Sequence, residues 1–378
     1  MRIVLDYRPA LRERTGVGEY VHELARALSR APVDGESLVL FTSSWKDRPP
    51  PSLRQEFANV QVVDRHLPVR ALTWAWNRVE WPPIERFTGE CDLVHAQTPL
   101  LIPTRRAAQI VTIHDLDFLH HPERGDAEMR RDFPQLAAAH ARRADHVIVS
   151  SHYNAGQVER HLGISPDRIS VCSPGAPDWG PQVAARRAGT QGAQHILFLG
   201  TLQARKNVGR LIDAYRLLVK RRPNAPRLIL AGRMTAEGRQ WQRAASEAGL
   251  SDRVVFRGYV DESERRTLFA GARLLVLPSL EEGFGFPVLE AMACGVPVVV
   301  SNRGSLPEVA GEAAEPFPPE DIEALSARMD DLLDDGRAGA AGARGQRRAA
   351  HYSWAACALA ARGAYRAAVA VRKSRGYR

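Results

Sequence analysis

Two glutamates eight residues apart flank a glycine-rich turn in EEGFGFPVLEAMACGVPVVV, residues 281–300. Glu282 precedes the turn Gly283-Phe284-Gly285-Phe286, and Glu290 falls about one turn into the helix that Pro287 is suited to begin. N–H groups at a helix start bind anions, and a carboxylate can accept two hydrogen bonds from a vicinal diol such as ribose. A hydrolytic acid/base pair would need a raised pKa and room for a water, which nothing here specifies. The pattern favours a cradle for a nucleotide diphospho-sugar over such a pair or two solvated glutamates.

Two adjacent cations, Arg205 and Lys206, follow the apolar run HILFLG and stand just before a predicted helix. Positive charge at a helix start opposes the macrodipole, so acidic residues would be more stable there. Lysine is also rare in this chain, with four in 378 residues. We expect Arg205 and Lys206 to bind an anion; the alternative is a plain basic pair at the surface.

His114 and Asp115 end another apolar run, QIVTI. A histidine at a strand end can donate a hydrogen bond to a sugar hydroxyl or a phosphate, or it can be purely structural. Asp115 and Asp117 also form an Asp-x-Asp, which suggests a divalent metal on a diphosphate. Leu116 and Phe118 instead indicate a loop that packs inward. We expect His114 at the site with Asp115 nearby, and we predict no metal ligands.

Glycines mark two further loops. Gly16 and Gly18 in RTGVGEY precede a helix, where they let the backbone approach a phosphate closely, although such a turn is also ordinary at a helix start. Gly258, Tyr259 and Val260 end the run RVVFRGYV. Their main-chain groups can read a nucleobase, or the segment simply ends a strand.

The elements that position these loops alternate between short apolar runs and helical patterns. Runs rich in Val, Ile and Leu are typical of parallel strands covered on both faces, and the helices between them imply right-handed crossovers. The runs are RIVLDY, SLVLFTS, NVQVVDR, CDLVHAQ, QIVTIHD and HVIVSS in a first series, and HILFLG, RLILAG, RVVFRGYV, RLLVLPS and VPVVVS in a second. The sequence predicts two doubly wound α/β domains, with the ligand in the cleft between their strand ends.

The domain boundaries follow from composition. Residues 174–194 lose the hydrophobic period and gather Gly, Pro, Ala and Gln, which predicts an interdomain linker. We expect domains at 1–176 and 177–355, and an alanine-rich tail of one or two helices. The helix at 356–378 is expected to return to the N-terminal domain; contact with a membrane or nucleic acid is the alternative.

Length and composition set further limits. The chain has 378 residues, of which 44% are hydrophobic and 25% charged. A chain of this length and composition can bury two hydrophobic cores of ordinary domain size. Asp6 and Arg8 interrupt the first apolar run, and no stretch approaches the roughly 20 apolar residues of a membrane span, so we expect neither a secretion signal nor a transmembrane helix. The cysteines stand singly without zinc-ligand spacing, which predicts a reduced cytoplasm: Cys91, Cys172, Cys294 and Cys357.

The net charge of +9 allows nucleic acid, an anionic membrane surface or phosphorylated small molecules as partners. Arginine supplies nearly all of the positive charge, a bias that also fits a GC-rich genome. The charge would then only mark a solvated surface. Aromatic residues are not interleaved with basic ones in a pattern suited to base stacking. We therefore predict no nucleic-acid partner and keep that function as a remote alternative.

The whole set of motifs resembles a known enzyme family. LPSLEEGFGFPVLEAMACGVPVVVSNRGSLPEV is similar to the glutamate-x7-glutamate signature of the retaining glycosyltransferases of family 4, which have the GT-B fold. TGVGEYVHELARAL, VTIHDLDFLHHPE, FLGTLQARKN and VVFRGYVDESERRTLFAGARLLVLPS resemble the other family blocks in the same order. The resemblance implies an N-terminal acceptor-binding domain and a C-terminal donor-binding domain, two Rossmann-like sheets facing across a cleft.

The resemblance also implies roles for individual residues. Glu290 would hold the donor ribose, while Glu282 and the turn at 283–286 would contact the donor sugar and diphosphate. Arg205 and Lys206 would neutralise the leaving diphosphate in place of a metal. Gly16 and Gly18 would approach that diphosphate from the other domain, and His114, with Asp115, would lie near the reacting carbon.

Such enzymes transfer a sugar with retention, by same-face attack in which the leaving phosphate oxygen takes the acceptor proton, so no cofactor and no separate base are expected. The sequence departs from the family at one position, since Thr201 follows Gly200 where many members have arginine. Arg205 and Lys206 would then have to neutralise more of the charge of the diphosphate.

Sequence motifs such as GTLxxRKN are most similar to those of enzymes that build bacterial polysaccharides. These enzymes are often mannosyltransferases that use GDP-mannose. The acceptor is left open between a saccharide, a lipid-linked sugar and a small natural product, and the oligomeric state is left open. Residues 71–87, ALTWAWNRVEWPPIERF, join tryptophans to arginines and would lie on anionic headgroups at the inner membrane face, or form a buried helix with a polar edge. A nucleotide-sugar epimerase with the same fold is the main alternative function.

Overall fold

The computed structural model describes residues 1–11, 14, 16–124, 127–189 and 195–376, and the chain divides into two compact units. Unit 1 comprises Met1–Gly175 and Ser353–Arg378, and unit 2 comprises Ala176–Tyr352. The chain leaves unit 1 after residue 175 and re-enters it at residue 353. The sequence predicts these two domain boundaries after residues 176 and 355.

Strands form one sheet in each unit. They are β1 (Arg2–Asp6), β2 (Ser37–Ser43), β3 (Gln61–Arg65), β4 (Leu93–Ala96), β5 (Ala108–Ile113), β6 (His146–Val149), β7 (Ile169–Val171), β8 (His195–Leu199), β9 (Arg227–Ala231), β10 (Val254–Gly258), β11 (Ala272–Leu277) and β12 (Val298–Val300). All the pairings are parallel. Two parallel α/β units confirm the predicted fold class.

Helices connect the strands. They are α1 (Val17–Arg30), α2 (Pro51–Glu56), α3 (Val69–Val79), α4 (Glu85–Thr88), α5 (Asp117–His120), α6 (Ala127–Arg143), α7 (His152–Leu162), α8 (Gly180–Gly189), α9 (Val208–Arg221), α10 (Ala236–Glu247), α11 (Glu262–Gly271), α12 (Phe286–Ala293), α13 (Leu306–Ala310), α14 (Ile322–Asp331), α15 (Asp335–Ala349) and α16 (Trp354–Ser374). Over the described ranges, none has both the length and the apolarity to cross a bilayer.

The order of the strands determines where ligands can bind. Unit 1 has the order β3-β2-β1-β4-β5-β6-β7, and unit 2 has the order β10-β9-β8-β11-β12. The order reverses between β1 and β4 in unit 1 and between β8 and β11 in unit 2. Such a reversal opens a crevice at the carboxyl ends of the two strands, and this crevice is where open α/β sheets bind ligands.

Each sheet is buried by its helices. Every residue of β8 is buried, as are Leu274, Leu275, Val276 and Leu277 of β11, which is why these strands are continuous apolar runs. In unit 1, α16 packs as a single structural helix. Its Tyr365 hydroxyl lies 2.9 Å from His95 Nδ1, and Arg362 donates to the carbonyls of Leu28 at 3.1 Å and Ala31 at 2.6 Å.

The segment predicted as a linker is only partly irregular. Residues 180–189 form α8, and Trp179 and Val183 belong to the core of unit 2 because they are the large apolar residues in an otherwise small and polar stretch. Residues 190–194 lie outside the described part of the chain. Strand β7 was not predicted, since three residues, Ile-Ser-Val, carry too little pattern to distinguish a strand from a loop.

Candidate active site

The loops predicted to bind an anion meet at the strand reversal of unit 2. The loop after β8 carries Arg205 and Lys206 in a 3₁₀ turn, Ala204–Lys206, directly before α9. The loop after β11 carries Glu282 and leads into α12. Because β8 and β11 are neighbours in the sheet, residues more than 70 positions apart in sequence come into contact.

Asn207 fixes the cationic turn to its neighbour. Its φ of 57° is in the left-handed region, which asparagine tolerates, and it joins the turn to α9. Its buried side-chain amide donates to the carbonyls of Pro278 at 3.1 Å and Pro319 at 2.8 Å. The N–H of Leu280 donates to the carbonyl of Arg205 at 2.7 Å. These bonds make the two loops one structural group.

Glu282 is 5% exposed and lies among three side chains that donate to its carboxylate. Lys206 Nζ forms an ion pair with Oε1, and Ser279 Oγ donates to the same oxygen at 2.7 Å. Arg205 Nη1 lies 3.4 Å from Oε2 and donates to the carbonyl of Glu281 at 3.0 Å. Two cations face one carboxylate, so this trio carries an excess of one positive charge.

The protonation of Glu282 follows from these contacts. Burial is the largest influence on its pKa and would raise it, since burial penalises the charged form. The charges of Lys206 and Arg205 and the hydrogen bonds from Lys206 and Ser279 outweigh burial and hold the pKa below its usual range. Glu282 is therefore ionised at neutral pH and has no proton to give as a general acid.

Two glycines let the loop around Glu282 fold tightly. Gly304 has a φ of 63°, and a Cβ there would lie 2.6 Å from the backbone N and O of Glu282. Ser305 donates from its N–H and its Oγ to the Glu282 carbonyl at 3.0 and 3.1 Å. Gly285 has a φ of 93° at the start of α12, and a Cβ there would lie 2.6 Å from Leu306 Cδ2. Gly304 was not predicted, although the Asn-Arg-Gly turn signal after β12 marks it.

The rest of the turn is held by aromatic contacts. Gly283 and Phe284 are buried, and the Phe284 ring meets Phe286 edge to face with centroids 5.5 Å apart. Phe284 also lies 5.8 Å from the Tyr352 ring. Helix α12 begins at Phe286, one residue before Pro287, so proline occupies the second helical position. The turn therefore runs directly into a helix start, the geometry that binds anions.

Glu290 is buried in α12 and forms an ion pair with Arg265 of α11. The Arg265 Nη1 to Glu290 Oε1 distance is 2.9 Å, and the two residues are 8% and 5% exposed. Sequence reasoning missed Arg265, because it stands among several charged residues on one helix and nothing local distinguishes it. The ion pair holds the Glu290 carboxylate in one orientation. We predict that this carboxylate binds the ribose of the donor.

The segment predicted to read the base ends β10. Gly258 has a φ of 79°, and its carbonyl accepts the N–H of Gly232 at 2.7 Å. Tyr259 is 42% exposed, whereas Val260 is buried. The carbonyl of Gly258 is thus engaged at the sheet edge, and Tyr259 is the accessible group of the three.

His114 and its neighbours lie on unit 1, after β5. Burial is the main influence on the pKa of His114 and lowers it to about 4; Asp115 and a hydrogen bond to the Gln97 backbone oppose this. Among the residues that the structure describes, His114 Nε2 is buried without a hydrogen-bond partner. The low pKa leaves the ring neutral at pH 7, and its role as a donor to a sugar hydroxyl or phosphate stays a prediction. The His114 ring lies 5.2 Å from the Tyr20 ring, edge to face.

The remaining predicted residues of unit 1 start helices. Gly16 has a φ of 52° before α1, with open space where a Cβ would lie, and Gly18 is buried in the first turn. Asp115 accepts the N–H of Asp117 at 3.2 Å, where α5 begins. Within the described ranges, no group of three or more His, Cys, Asp or Glu is arranged to hold a metal ion.

Models of two sequence families match the two halves of the chain. The family described as Glycosyltransferase Family 4 matches residues 14–178. The family described as Glycosyl transferases group 1 matches residues 186–348.

Curated relatives agree with these matches. The chain is 29% identical over 395 residues to the O-antigen chain mannosyltransferase B of Escherichia coli, covering 97% of this chain and all of that protein. It is 32% identical over 241 residues to the serotype-specific mannosyltransferase WbdA of Escherichia coli, a match to 60% of this chain and 29% of WbdA. This chain therefore spans less than a third of WbdA.

The fold is similar to that of a solved sucrose-phosphate synthase from Thermosynechococcus elongatus. The TM-score is 0.74 at 21% identity, covering 97% of this chain and 98% of that chain. Such a likeness bears on the fold alone, and it confirms GT-B. With two glycosyltransferase families matched along the chain and a mannosyltransferase relative matched over its whole length, this protein belongs to the family 4 glycosyltransferases and is an enzyme of sugar transfer.

Proposed function

We propose that this glycosyltransferase moves a mannosyl group from GDP-mannose to a saccharide acceptor, with retention of configuration and without a metal ion. The observation that carries the proposal is the buried ionic group at the strand reversal of unit 2, where Arg205 and Lys206 face Glu282. Its excess positive charge and the adjacent start of α12 together favour an anionic donor.

Glu290 holds the ribose of the donor. A carboxylate accepts hydrogen bonds from both hydroxyls of a vicinal diol, and the Arg265 contact at 2.9 Å orders it before the donor arrives. Less side-chain freedom is then lost on binding.

Arg205 and Lys206 stabilise the leaving diphosphate. Both are positioned by Glu282 and by the turn that ends at Asn207, so little reorganisation is needed when negative charge develops. Preorganised donors of this kind are each worth roughly a factor of 100 to 1,000 in kcat. This role does not require a divalent cation.

The chemical step balances without an enzyme base. The bond between the anomeric carbon and the phosphate oxygen breaks, and its electron pair stays on the diphosphate. The acceptor oxygen attacks the same face, and its proton passes to the departing phosphate oxygen, giving a glycoside of unchanged configuration and GDP. The ionised state of Glu282 supports this scheme, because the group offers no proton for acid catalysis.

Mannose is proposed because both curated relatives described above are mannosyltransferases. A thermal-shift panel of GDP-mannose, UDP-glucose and ADP-glucose tests the donor. A donor at 100 times its Kd should stabilise the protein by about 2.7 kcal/mol. Stabilisation by a UDP-sugar and none by GDP-mannose would overturn this choice of donor.

We also propose that the α3 face of unit 1 rests on an anionic membrane surface at the cytoplasmic side. Trp74 and Val79 of α3, and Trp81 just after it, are 54%, 59% and 56% exposed, while Trp76 is buried, so this region of unit 1 presents large apolar side chains to solvent. Arg86 lies over the Trp81 ring at 5.5 Å, joining a cation to the same surface. Co-sedimentation with phosphatidylglycerol vesicles should exceed that with phosphatidylcholine vesicles and fall in Trp74→Ala/Trp81→Ala; equal pelleting of the variant would remove the proposal.

Replacing Glu290 tests the function itself. Glu290→Ala should abolish transfer from GDP-mannose, whereas Glu323→Ala, an exposed glutamate on α14, should transfer at the wild-type rate. Wild-type activity in folded Glu290→Ala would contradict the assignment of this site. An epimerised sugar formed from the donor without any acceptor would identify an epimerase instead.

A further inference from the structure

Tyr20 is a fully buried residue in the first turns of α1, and its ring contacts the ring of His114. The two ring centres are 5.2 Å apart and the planes are inclined by 80°, so the edge of one ring meets the face of the other. Aromatic contacts of this kind have a preferred geometry. Tyr20 therefore restricts how the imidazole of His114 can turn.

The Tyr20 ring is itself fixed by other elements of unit 1. Its centre lies 5.9 Å from the ring of Trp354, the first residue of α16. Its hydroxyl donates to the carbonyl of Cys172, just after β7, at 3.3 Å, and Cys357 Sγ of α16 donates to this hydroxyl at 3.8 Å. Both polar contacts are long, so close packing places the ring more than hydrogen bonding does.

His114 needs such support because of its Nε2 atom. Over the described part of the chain, this nitrogen is buried and makes no hydrogen bond. A buried polar atom without a partner is costly, so the ring would turn toward water unless its neighbours prevented it. A hydrogen bond with the Gln97 backbone holds the ring, and the Tyr20 contact does so as well. Together they keep the imidazole in an orientation that leaves Nε2 to a ligand.

We propose that Tyr20 is a positioning residue for sugar transfer: it holds the His114 imidazole in the orientation in which Nε2 meets the donor sugar, and it acts only through His114. This inference rests on the proposed function, in which His114 lies near the reacting carbon. Misplacing such a group by about 1 Å can cost roughly a factor of 100 in rate. Loss of the Tyr20 ring should therefore slow the chemical step much more than it weakens donor binding.

Two substitutions separate the ring of Tyr20 from its hydroxyl. Tyr20→Leu removes the ring and should lower kcat with GDP-mannose and methyl α-mannoside at least about tenfold, with the Kd for GDP-mannose within about threefold of wild type. Tyr20→Phe keeps the ring, and the Cys172 carbonyl keeps the Cys357 thiol as a donor at 3.5 Å, so its kcat should stay close to wild type. Wild-type kcat in folded Tyr20→Leu, or an equal loss in Tyr20→Phe, would overturn the proposal.

Tyr215→Leu is the matched control for the loss of a buried tyrosine ring. Tyr215 is fully buried in unit 2, and its hydroxyl donates to the carbonyl of Pro226 at 2.8 Å. Pro226 precedes β9, so this contact lies at the amino ends of the strands, away from the donor loops. Measured well below its thermal midpoint, the control should keep the wild-type kcat. An equal loss of kcat in Tyr215→Leu and Tyr20→Leu would reduce Tyr20 to a merely structural residue.

A double-mutant cycle tests whether Tyr20 acts through His114. His114→Ala should lower kcat, and adding Tyr20→Leu should lower it by no more than about a further factor of two, because the effects of contacting residues are not additive. Two effects that multiply would show that Tyr20 acts independently of His114. That result, or a wild-type kcat in folded His114→Ala, would overturn the proposal.

The titration of His114, followed by proton NMR, needs no turnover and separates this inference from the function on which it rests. Burial lowers the pKa of His114 to about 4, and Asp115, His95 and Tyr20 are titratable groups beside it. Leucine is shorter than tyrosine and leaves space for water, so Tyr20→Leu should raise this pKa toward 6.5, whereas Tyr20→Phe should not.

An unchanged pKa of His114 in folded Tyr20→Leu would overturn the proposal. A raised pKa in that variant, together with a wild-type protein that transfers no mannose from GDP-mannose, would support the positioning of His114 by Tyr20 and refute the proposed donor chemistry.

Discussion

Replacing Lys206 with methionine should both destabilise the enzyme and slow its chemistry, and the two effects can be separated. Breaking a buried ion pair by removing one partner costs about 3 to 5 kcal/mol. Glu282 would keep Arg205 at 3.4 Å and the Ser279 hydroxyl at 2.7 Å, so we expect the lower end, about 3 kcal/mol. In a unit of this size that lowers the thermal midpoint by about 6 to 12 °C.

The double variant Lys206→Met/Glu282→Gln removes both charges and leaves no uncompensated carboxylate. Its thermal midpoint should return to within about 4 °C of the wild type, since neutral replacement of a whole buried pair costs little. Its kcat should stay at least about 100-fold low, because the cation that stabilises the leaving diphosphate is still missing.

Calorimetry and initial rates with GDP-mannose measure the two quantities, with Lys220→Met as the matched control. Lys220 is exposed on α9, and its loss should change stability by less than about 1 kcal/mol. A double variant as unstable as Lys206→Met would refute the buried ion pair as the source of the instability. A double variant that regains activity together with stability would show that the charge of Lys206 contributes to folding and not to the chemical step.

Three further predictions follow from single contacts. Arg265→Leu leaves the buried Glu290 carboxylate without its cation and should lower the free energy of unfolding by about 3 kcal/mol. Donor binding, measured by calorimetric titration, should also be weaker; an unchanged donor affinity would show that the ion pair does not orient the carboxylate. Gly304→Ala adds a Cβ 2.6 Å from backbone atoms of the adjacent loop, whereas Gly249, with a similar φ of 73°, has open space where its Cβ would lie. In urea unfolding, Gly304→Ala should therefore lower the free energy of unfolding by at least about 1 kcal/mol more than Gly249→Ala does. Equal losses of stability in the two variants would trace the effect to backbone conformation alone. Burial lowers the pKa of His114 from 6.5 to about 4, so the unfolded chain binds the extra proton between these values and stability falls as the pH drops from 6.5 to 4, by about 3 kcal/mol from this group. His114→Gln should remove that part of the fall in thermal midpoint, and an identical pH curve would contradict it.

The positions of the chemical groups were predictable because strand ends are predictable. Continuous runs such as RLLVLP are typical of buried parallel strands, and the polar residues that follow such strands lie on one edge of the sheet. Arg205, Lys206 and Glu282 were each selected from their own loop for this reason. Their direct contact depends on which strands are neighbours, and that follows from the crossover order rather than from either loop alone.

Partners contributed by helix faces were not predictable. Arg265 and Arg266 are adjacent and chemically identical in the sequence, yet Arg265 is 8% exposed and pairs with Glu290, while Arg266 lies at the surface and pairs with Glu262 on its own helix. The two differ by about 100° around α11, and only the packed fold determines which side is covered.

The most direct test of the central claim is the anomeric configuration of the first product formed from GDP-mannose and methyl α-mannoside, followed by proton NMR. The account predicts an α-linked mannoside that appears together with an equal amount of GDP. A β-linked product, or consumption of GDP-mannose with no new glycosidic bond, would contradict it.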